Sequence, residues 1–125
     1  MRHLIASETD VHCPERPTCT YRWLVQGEEY LGSILLRHTL TPALTHRGGH
    51  IGYGVRPSAR RRGLASWGLR QILPIARNHN LDRVLATCYE DNTASWRTIE
   101  SCGGVLEDVR TNDYGRQYRR YWIET

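Results

Sequence analysis

The sequence predicts one α/β (α+β) domain with the element order β-β-β-α-β-α-β-β. A length of 125 residues suits one compact domain. Short stretches of alternating apolar and polar residues are typical of strands, and two further stretches carry the apolar spacing or the caps of helices. Hydrophobic residues make up 39% of the chain and charged residues 24%, which is ordinary for a globular protein.

Hydropathy and cysteine spacing limit the classes of protein to which this chain can belong. No stretch approaches the ~18 apolar residues that a membrane helix needs, and the polar first residues lack the apolar core of a secretory signal. We therefore expect a cytoplasmic protein that binds no membrane. His12, Cys13 and Cys19 could form half of a zinc site, but a second pair of ligands is missing from the sequence, so we also expect no metal. The four cysteines are expected to be reduced thiols, because they show no CxxC spacing; they are Cys13, Cys19, Cys88 and Cys102.

All 17 basic residues are arginines, and the net charge is +4. Arginine binds phosphate and carboxylate groups through fixed pairs of N–H donors, so the composition favours an anionic ligand. The charge is too small to indicate nucleic-acid binding by itself.

Residues 1–20 show little periodicity and contain Pro14 and Pro17. We expect them to form an N-terminal arm that precedes a single domain at residues 21–125.

The remaining elements follow from hydrophobic spacing and turn signals. Strand signals begin at Thr20 and recur over residues 30–39, 50–55, 83–89, 105–110 and 117–123. Helices are predicted over residues 61–79 and 93–102. Pro74 should bend or break the last turns of the first helix, because proline lacks the backbone N–H that a helix interior uses.

The segment from Val55 to Ala65 runs from a strand through a basic loop into a helix. A helix start presents free N–H groups and a partial positive charge, which together bind phosphate. Gly63 would let an anion approach the backbone closely. The loop contains neither a Walker sequence nor G-x-G-x-x-G, and a solvated basic turn is the alternative interpretation.

A second strand-to-helix unit follows. The apolar strand at residues 83–89 leads to Asp91 or Asn92 as a helix cap, and Gly103-Gly104 ends that helix. Two successive units of this kind place both helix starts at one edge of the sheet, where ligands of open α/β sheets bind.

These motifs together resemble the GNAT superfamily of acetyl-coenzyme A dependent N-acetyltransferases, over about residues 30–123. The loop at residues 60–65 fits the family's (Q/R)xxGx(G/A) pyrophosphate motif, and Asn92 with Ser95 and Gly103 fits its Asn-led helix. The resemblance implies a mixed, mostly antiparallel central sheet flanked by helices. It also implies an enzyme that transfers an acetyl group from acetyl-CoA to a primary amine of a small molecule or peptide by direct attack.

The resemblance further implies a set of cofactor contacts. The backbone of Gly54 and Val55 would pair with the pantetheine arm, the N–H groups from Arg61 to Ala65 would hold the pyrophosphate, and Asn92 would bond the arm or widen the gap beside it. The residues implied to bind the cofactor are Gly54, Val55, Arg60, Arg61, Arg62, Gly63, Leu64, Ala65, Asn92 and Ser95.

Several residues are candidates for the catalytic base and the catalytic acid. His50 is a candidate base, because it lies on the glycine face of its strand and imidazole titrates near neutral pH; a structural histidine is the alternative. Glu28, Glu29 and Glu90 are further candidates. Many family members carry a tyrosine acid seven residues after the asparagine, where this chain has Ile99. The acid is therefore unassigned among Tyr89, Tyr118, Tyr121 and water.

The family normally begins with a strand and one or two helices that form part of the acceptor site, and these have no counterpart here. The acceptor site is thus expected to be shortened or completed by a partner chain. The closing hairpin, with Tyr118, Tyr121 and Trp122, is a candidate homodimer surface, or else ordinary sheet packing.

A non-catalytic CoA-binding module is the alternative function. A nucleic-acid binder that uses Arg56 and the arginines of the loop is disfavoured, because Trp67 is the only candidate stacking group near the loop and its helical spacing favours packing.

Overall fold

The computed structural model describes residues 2–6, 11–13, 16–40, 49–60 and 63–125. The strands are β1 (Arg2–Ala6), β2 (Val11–Cys13), β3 (Arg16–Gln26), β4 (Glu29–Arg37), β5 (Ile51–Val55), β6 (Arg83–Tyr89), β7 (Val105–Thr111) and β8 (Gln117–Glu124). A 3-10 turn (Pro57–Ala59) and helix α1 (Leu64–Asn78) lie between β5 and β6, and helix α2 (Thr93–Ser101) lies between β6 and β7.

The strands form one sheet in the order β1-β3-β4-β5-β6-β8-β7, with β2 paired to β3 beside this path. Among the described strands, β5 and β6 are parallel neighbours and every other pair is antiparallel. The expected mixed, mostly antiparallel sheet is confirmed. From β3 onward the elements also follow the predicted order β-β-β-α-β-α-β-β.

The N-terminal segment differs from the expected arm. Strand β1 pairs with β3 from Arg2↔Gln26 to Ala6↔Arg22, and β3 itself begins at Arg16. These residues join the sheet through backbone hydrogen bonds, which require no alternation of side chains. The lack of periodicity in residues 1–20 was therefore a poor guide to their secondary structure.

Helix α1 continues past Pro74 to Asn78, so the expected break does not occur. The helix buries a stripe that includes Leu69, Ile72 and Ala76 against the sheet. This tertiary packing holds the last turn in place although the proline removes one backbone hydrogen bond.

Both helices pack on the same face of the sheet, named the helix face. The core between them joins Ile34 and Leu36 of β4, Leu69 of α1, Ile99 of α2 and Tyr121 of β8, all almost fully buried. Since side chains alternate along a strand, the intervening residues, such as Leu35 and Gly52, point to the opposite face.

The candidate dimer side chains of the closing hairpin are largely internal. Tyr118 is 6% exposed and Tyr121 is 0% exposed, and Trp122 is half-buried with the Arg83 guanidinium 4.2 Å from its ring centre. Packing within the sheet therefore accounts for these three residues, and a homodimer stays a prediction. The exposed large hydrophobic side chains of this hairpin are Val105, Leu106 and Val109 on the edge strand β7, and Tyr114 in the turn.

The close contact between β4 and β5 gives a test of the sheet. A Cβ atom on Gly32 would lie 2.3 Å from the Gly54 carbonyl oxygen, whereas a Cβ on Gly54 would have nothing within 4 Å. We expect Gly32→Ala to lower the free energy of unfolding by about 1–3 kcal/mol, because the two strands must separate. Gly54→Ala is the matched control in urea denaturation, and equal stability of the two variants would contradict this packing.

Candidate functional site

A cleft opens between the two parallel strands. The ladder between β5 and β6 holds the single register pair Ile51↔Ala86. Beyond this pair, β5 remains paired with β4, where Val55 lies opposite Gly32. Likewise, β6 remains paired with β8, where Tyr89 lies opposite Tyr118. The facing edges of β5 and β6 therefore separate, and the opening is a cleft of about 880 Å³.

The cleft is lined from both faces of the sheet. Tyr53 and Cys88 pack against the core on the helix face. By alternation, Gly54 and Thr87 reach the cleft from the opposite face. An opening lined in this way can receive one reactant from each side of the sheet.

One end of the cleft has the features of an anion site. Gly63 caps α1 with a left-handed φ of 72°, and no side chain caps the helix. The first N–H groups of α1 have no partner within the helix, and its first turn carries no acidic residue. A Cβ on Gly63 would meet nothing within 4 Å, so an anion can approach the backbone there.

Arg60 adds a full positive charge at the same end. Its Nε–H donates to the Val55 carbonyl oxygen at 3.0 Å. This bond holds the guanidinium group beside the end of β5, where it lines the cleft.

The structure brings most of the predicted cofactor residues to this cleft. Its lining includes Gly54, Val55, Arg60, Gly63, Leu64, Ala65, Asn92 and Ser95. Arg61 and Arg62 lie outside the described residues. That these residues bind a cofactor stays a prediction.

The start of α2 forms the second wall. The Asn92 Oδ1 atom accepts the Ser95 N–H at 3.2 Å, which is the predicted cap. The Ser95 Oγ atom in turn lies 2.6 Å from the Tyr53 hydroxyl oxygen. This hydrogen bond connects β5 to α2 across the cleft. Sequence reasoning missed Tyr53, because its alternation with Ile51 and Val55 indicated only a packing face.

Burial sets the protonation of two groups in the cleft. It raises the pKa of Tyr53 to about 12, against a smaller lowering effect of the Ser95 hydrogen bond. Burial also raises the pKa of the Cys88 thiol. At neutral pH Tyr53 is therefore a hydroxyl donor, and Cys88 is a neutral thiol of low nucleophilicity.

His50 does not lie among the residues that line the cleft. It is 6% exposed, and its Nδ1 atom accepts the Leu85 backbone N–H at 2.9 Å. Its own backbone N–H donates to the Leu85 carbonyl oxygen at 2.8 Å. Burial, and secondarily the positive charge of Arg37, lowers the pKa of His50 to about 4. The geometry favours a structural role, in which His50 joins β6 to the residues before β5.

The candidate carboxylates also lie outside the cleft lining. Glu28 is exposed in the turn after β3, and Glu29 lies 3.9 Å from Arg56. Glu90 accepts two hydrogen bonds from Arg119, at 2.6 and 2.9 Å, and this pairing is the main cause of the lowered pKa of Glu90.

The tyrosines that are candidate general acids lie in two different places. Tyr89 and Tyr118 line the cleft, whereas the Tyr121 hydroxyl is bound to Glu100 and Arg119 in the helix-face core. Ile99, at the position of the family's usual tyrosine, is fully buried in the same core.

Comparison with protein families identifies the chain. Residues 4–105 match the acetyltransferase (GNAT) domain model, so the chain belongs to the GNAT acetyltransferase family. Comparison with curated protein sequences found no match.

Solved structures share the fold at low sequence identity. Ribosomal-protein-S5-alanine acetyltransferase from Vibrio fischeri has a TM-score of 0.71 at 16% identity, over 85% of this chain and 61% of that one. A mutant spermidine/spermine N-acetyltransferase from Vibrio cholerae has a TM-score of 0.67 at 16% identity, over 85% and 66%. The microcin C7 self-immunity acetyltransferase in complex with acetyl-CoA and AMP has a TM-score of 0.66 at 16% identity, over 86% and 61%. The chain thus spans less than two thirds of the length of each of these proteins.

Neither α1 nor α2 has the length and apolar character to cross a membrane. Within the described part of the chain, no three His, Cys, Asp or Glu residues are grouped to hold a metal ion.

The lowered pKa of His50 predicts a pH dependence of stability. Between the unfolded pKa of about 6.5 and the folded pKa of about 4, the unfolded chain binds more protons than the folded chain. The free energy of unfolding should therefore fall as pH drops through this window. His50→Asn keeps an acceptor for the Leu85 N–H and removes the titration.

The measurement is urea denaturation of wild type and His50→Asn at several pH values between 4 and 7. The wild type should lose more stability than the variant as the pH falls. Parallel pH dependence of the two proteins would show that His50 is not held neutral by burial.

Proposed function

We propose that this chain is an acetyl-CoA-dependent N-acetyltransferase that acetylates a primary amine by direct attack on the thioester. The observation that carries the proposal is the cleft between β5 and β6, with the uncapped N-terminus of α1 at one end. Membership of the GNAT family supports it. We further propose that the protein works in the cytoplasm, and that it forms a homodimer.

Successive parts of the cleft would contact successive parts of acetyl-CoA, from the pyrophosphate to the acetyl group. Backbone N–H groups at the start of α1, with Arg60, would hold the pyrophosphate. The separated edge of β5 at Gly54 and Val55 would pair with the amide groups of the pantetheine arm, as an added strand does. A backbone N–H of β5 on the Ile51 side of Gly54, away from the pyrophosphate end, would then polarise the acetyl carbonyl group.

The chemistry proceeds without a covalent enzyme intermediate. The amine nitrogen attacks the thioester carbon, the C–S bond breaks, and the electron pair leaves with sulfur. The Cys88 thiol is held neutral by burial, which disfavours its acting as an intermediate acetyl carrier. The leaving thiolate takes its proton from water. The Tyr53 hydroxyl, with Ser95 beside it, is proposed to donate a hydrogen bond to the sulfur without losing its proton, because its pKa of about 12 lies above that of a thiol.

Deprotonation of the amine is assigned to solvent. An aliphatic ammonium group has a pKa of about 10 and must lose a proton before attack. Among the described residues that line the cleft there is no Asp, Glu or His. Water, rather than a side-chain base, therefore takes the proton at this step.

A non-catalytic CoA-binding module is the second candidate. It is favoured by the burial of Ile99 where the family usually has a tyrosine acid. Release of free CoA thiol in the presence of an amine distinguishes the two, because the module would bind acetyl-CoA without releasing thiol.

The phosphate end is tested with a matched pair of glycine variants. Gly63→Glu should reduce acetyl-CoA binding by at least about a hundredfold, because it places a carboxylate against the phosphates. Gly27→Glu is the control, since Gly27 also has a positive φ (61°) and open space around its Cβ position but lies in the β3–β4 turn. Calorimetry measures binding, and near-normal affinity in a folded Gly63→Glu protein would overturn the placement.

The proposed solvent step predicts how the rate depends on pH. The rate of thiol release at low acceptor concentration should rise as the acceptor amine deprotonates, and its apparent pKa should follow that of the amine. Two acceptors whose amines differ in pKa by at least about one unit suffice. An apparent pKa that stays the same for both acceptors would indicate a side-chain base.

A further inference from the structure

We infer that the acceptor amine is presented by a polypeptide, and that Trp23 and Tyr21 bind an apolar side chain of that polypeptide about 10 Å from the cleft. The inference rests on the proposed function and names the substrate class of the same cleft.

The acceptor reaches the cleft from the face of the sheet opposite the helices. Helix α1 packs on the helix face, so a phosphate site at its N-terminus places acetyl-CoA on that side. Gly52 and Gly54 of β5 face the other way and have no side chains to cover the cleft. A Cβ atom on Gly54 would have nothing within 4 Å, so an amine can approach the thioester over this strand.

Two rows of paired residues lead from these glycines across β4 to β3. The first row is Gly54, Ser33 and Trp23, and the second is Gly52, Leu35 and Tyr21. Residues directly opposite each other in antiparallel strands lie on the same face. Because neighbouring strands are about 4.8 Å apart, both rows end about 10 Å from β5.

The rows end at a cluster of exposed aromatic side chains, named the aromatic patch: Tyr21, Trp23 and Tyr30. Trp23 is 48% exposed, Tyr30 is 45% exposed and Tyr21 is 36% exposed. The Trp23 and Tyr30 rings meet edge to face, with centres 6.1 Å apart and an angle of 86° between their planes. This contact orients the Trp23 ring. Adjacent exposed aromatic side chains are typical of surfaces that bind another chain.

The shape and charge of this surface favour a polypeptide over a small amine. A small-molecule site encloses most of its ligand, whereas the aromatic patch is an exposed part of an open sheet face. Neither the two rows nor the patch contains a charged residue, so the surface matches an apolar side chain. Residues of an extended peptide are about 3.4 Å apart, so the third or fourth residue from the amine reaches the patch.

The experiment compares tetrapeptide amides that differ at one position. Thiol release at saturating acetyl-CoA is measured with peptides that begin with alanine, serine or methionine and carry phenylalanine or serine at the third or fourth position. For at least one first residue, the phenylalanine peptide should exceed its serine counterpart by about tenfold in kcat/KM, as expected for half-burial of an aromatic ring. The small amines 1,4-diaminobutane and 2-phenylethylamine should be poorer acceptors than that phenylalanine peptide.

Variants of the aromatic patch locate the effect. Trp23→Ser should raise the KM of the phenylalanine peptide about tenfold and leave the KM of the serine peptide and of acetyl-CoA nearly unchanged. Trp23→Phe keeps an aromatic ring and should lose less. Tyr21→Ser should act in the same direction as Trp23→Ser. Tyr114→Ser is the matched control that should change none of these values, because Tyr114 is an exposed tyrosine in the β7–β8 turn.

The outcomes separate this inference from the proposed function. Small amines that equal or exceed every peptide overturn the inference alone, as does equal turnover of the phenylalanine and serine peptides. An equal loss for both peptides in Trp23→Ser, with the far-UV spectrum and acetyl-CoA affinity retained, also overturns it. Absence of thiol release with every acceptor overturns the proposed function and this inference together.

Discussion

The site depends on the way in which β5 and β6 are each held by a different neighbour. β5 follows β4 from Ile51 to Val55, and β6 follows β8 from Arg83 to Tyr89. The parallel contact between them keeps one register pair, Ile51↔Ala86. A sheet normally satisfies the backbone groups of adjacent strands by pairing them. Here the separated edges lie in a cleft where an extended ligand can pair with them.

The two walls of the cleft are stabilised by different interactions. The β5 side rests on the backbone contact between Gly32 and Gly54, which leaves no space for a Cβ atom on Gly32. The α2 side is held by a polar cluster, in which Arg119 bonds to Glu90 and the Tyr121 hydroxyl and lies 4.1 Å from the Trp96 ring centre. The hydrogen bond between Tyr53 and Ser95 then joins these walls across the opening.

Burial is the largest cause of the pKa shifts of three groups at or near the cleft. It keeps Tyr53 and Cys88 in their protonated forms and His50 in its neutral form. Among the described residues that line the cleft, the charged side chains are Arg37 and Arg60, at opposite ends of β5. The uncapped start of α1 with Arg60 forms an end of the cleft at which an anion can be held.

The sequence by itself determined most elements and the local geometry at the starts of α1 and α2, because helix periodicity, the Asn92 cap and the Gly63 turn are local features. It could not show that residues 2–6 and 16–20 join the sheet, because pairing with β3 and β4 depends on distant backbone groups. Tertiary structure alone decided that His50 is buried against Leu85 and that Tyr53 meets Ser95. The placement of Arg37 at the cleft was decided in the same way. Each of these contacts joins residues far apart in the chain, and periodicity carries no information about which distant residue lies opposite.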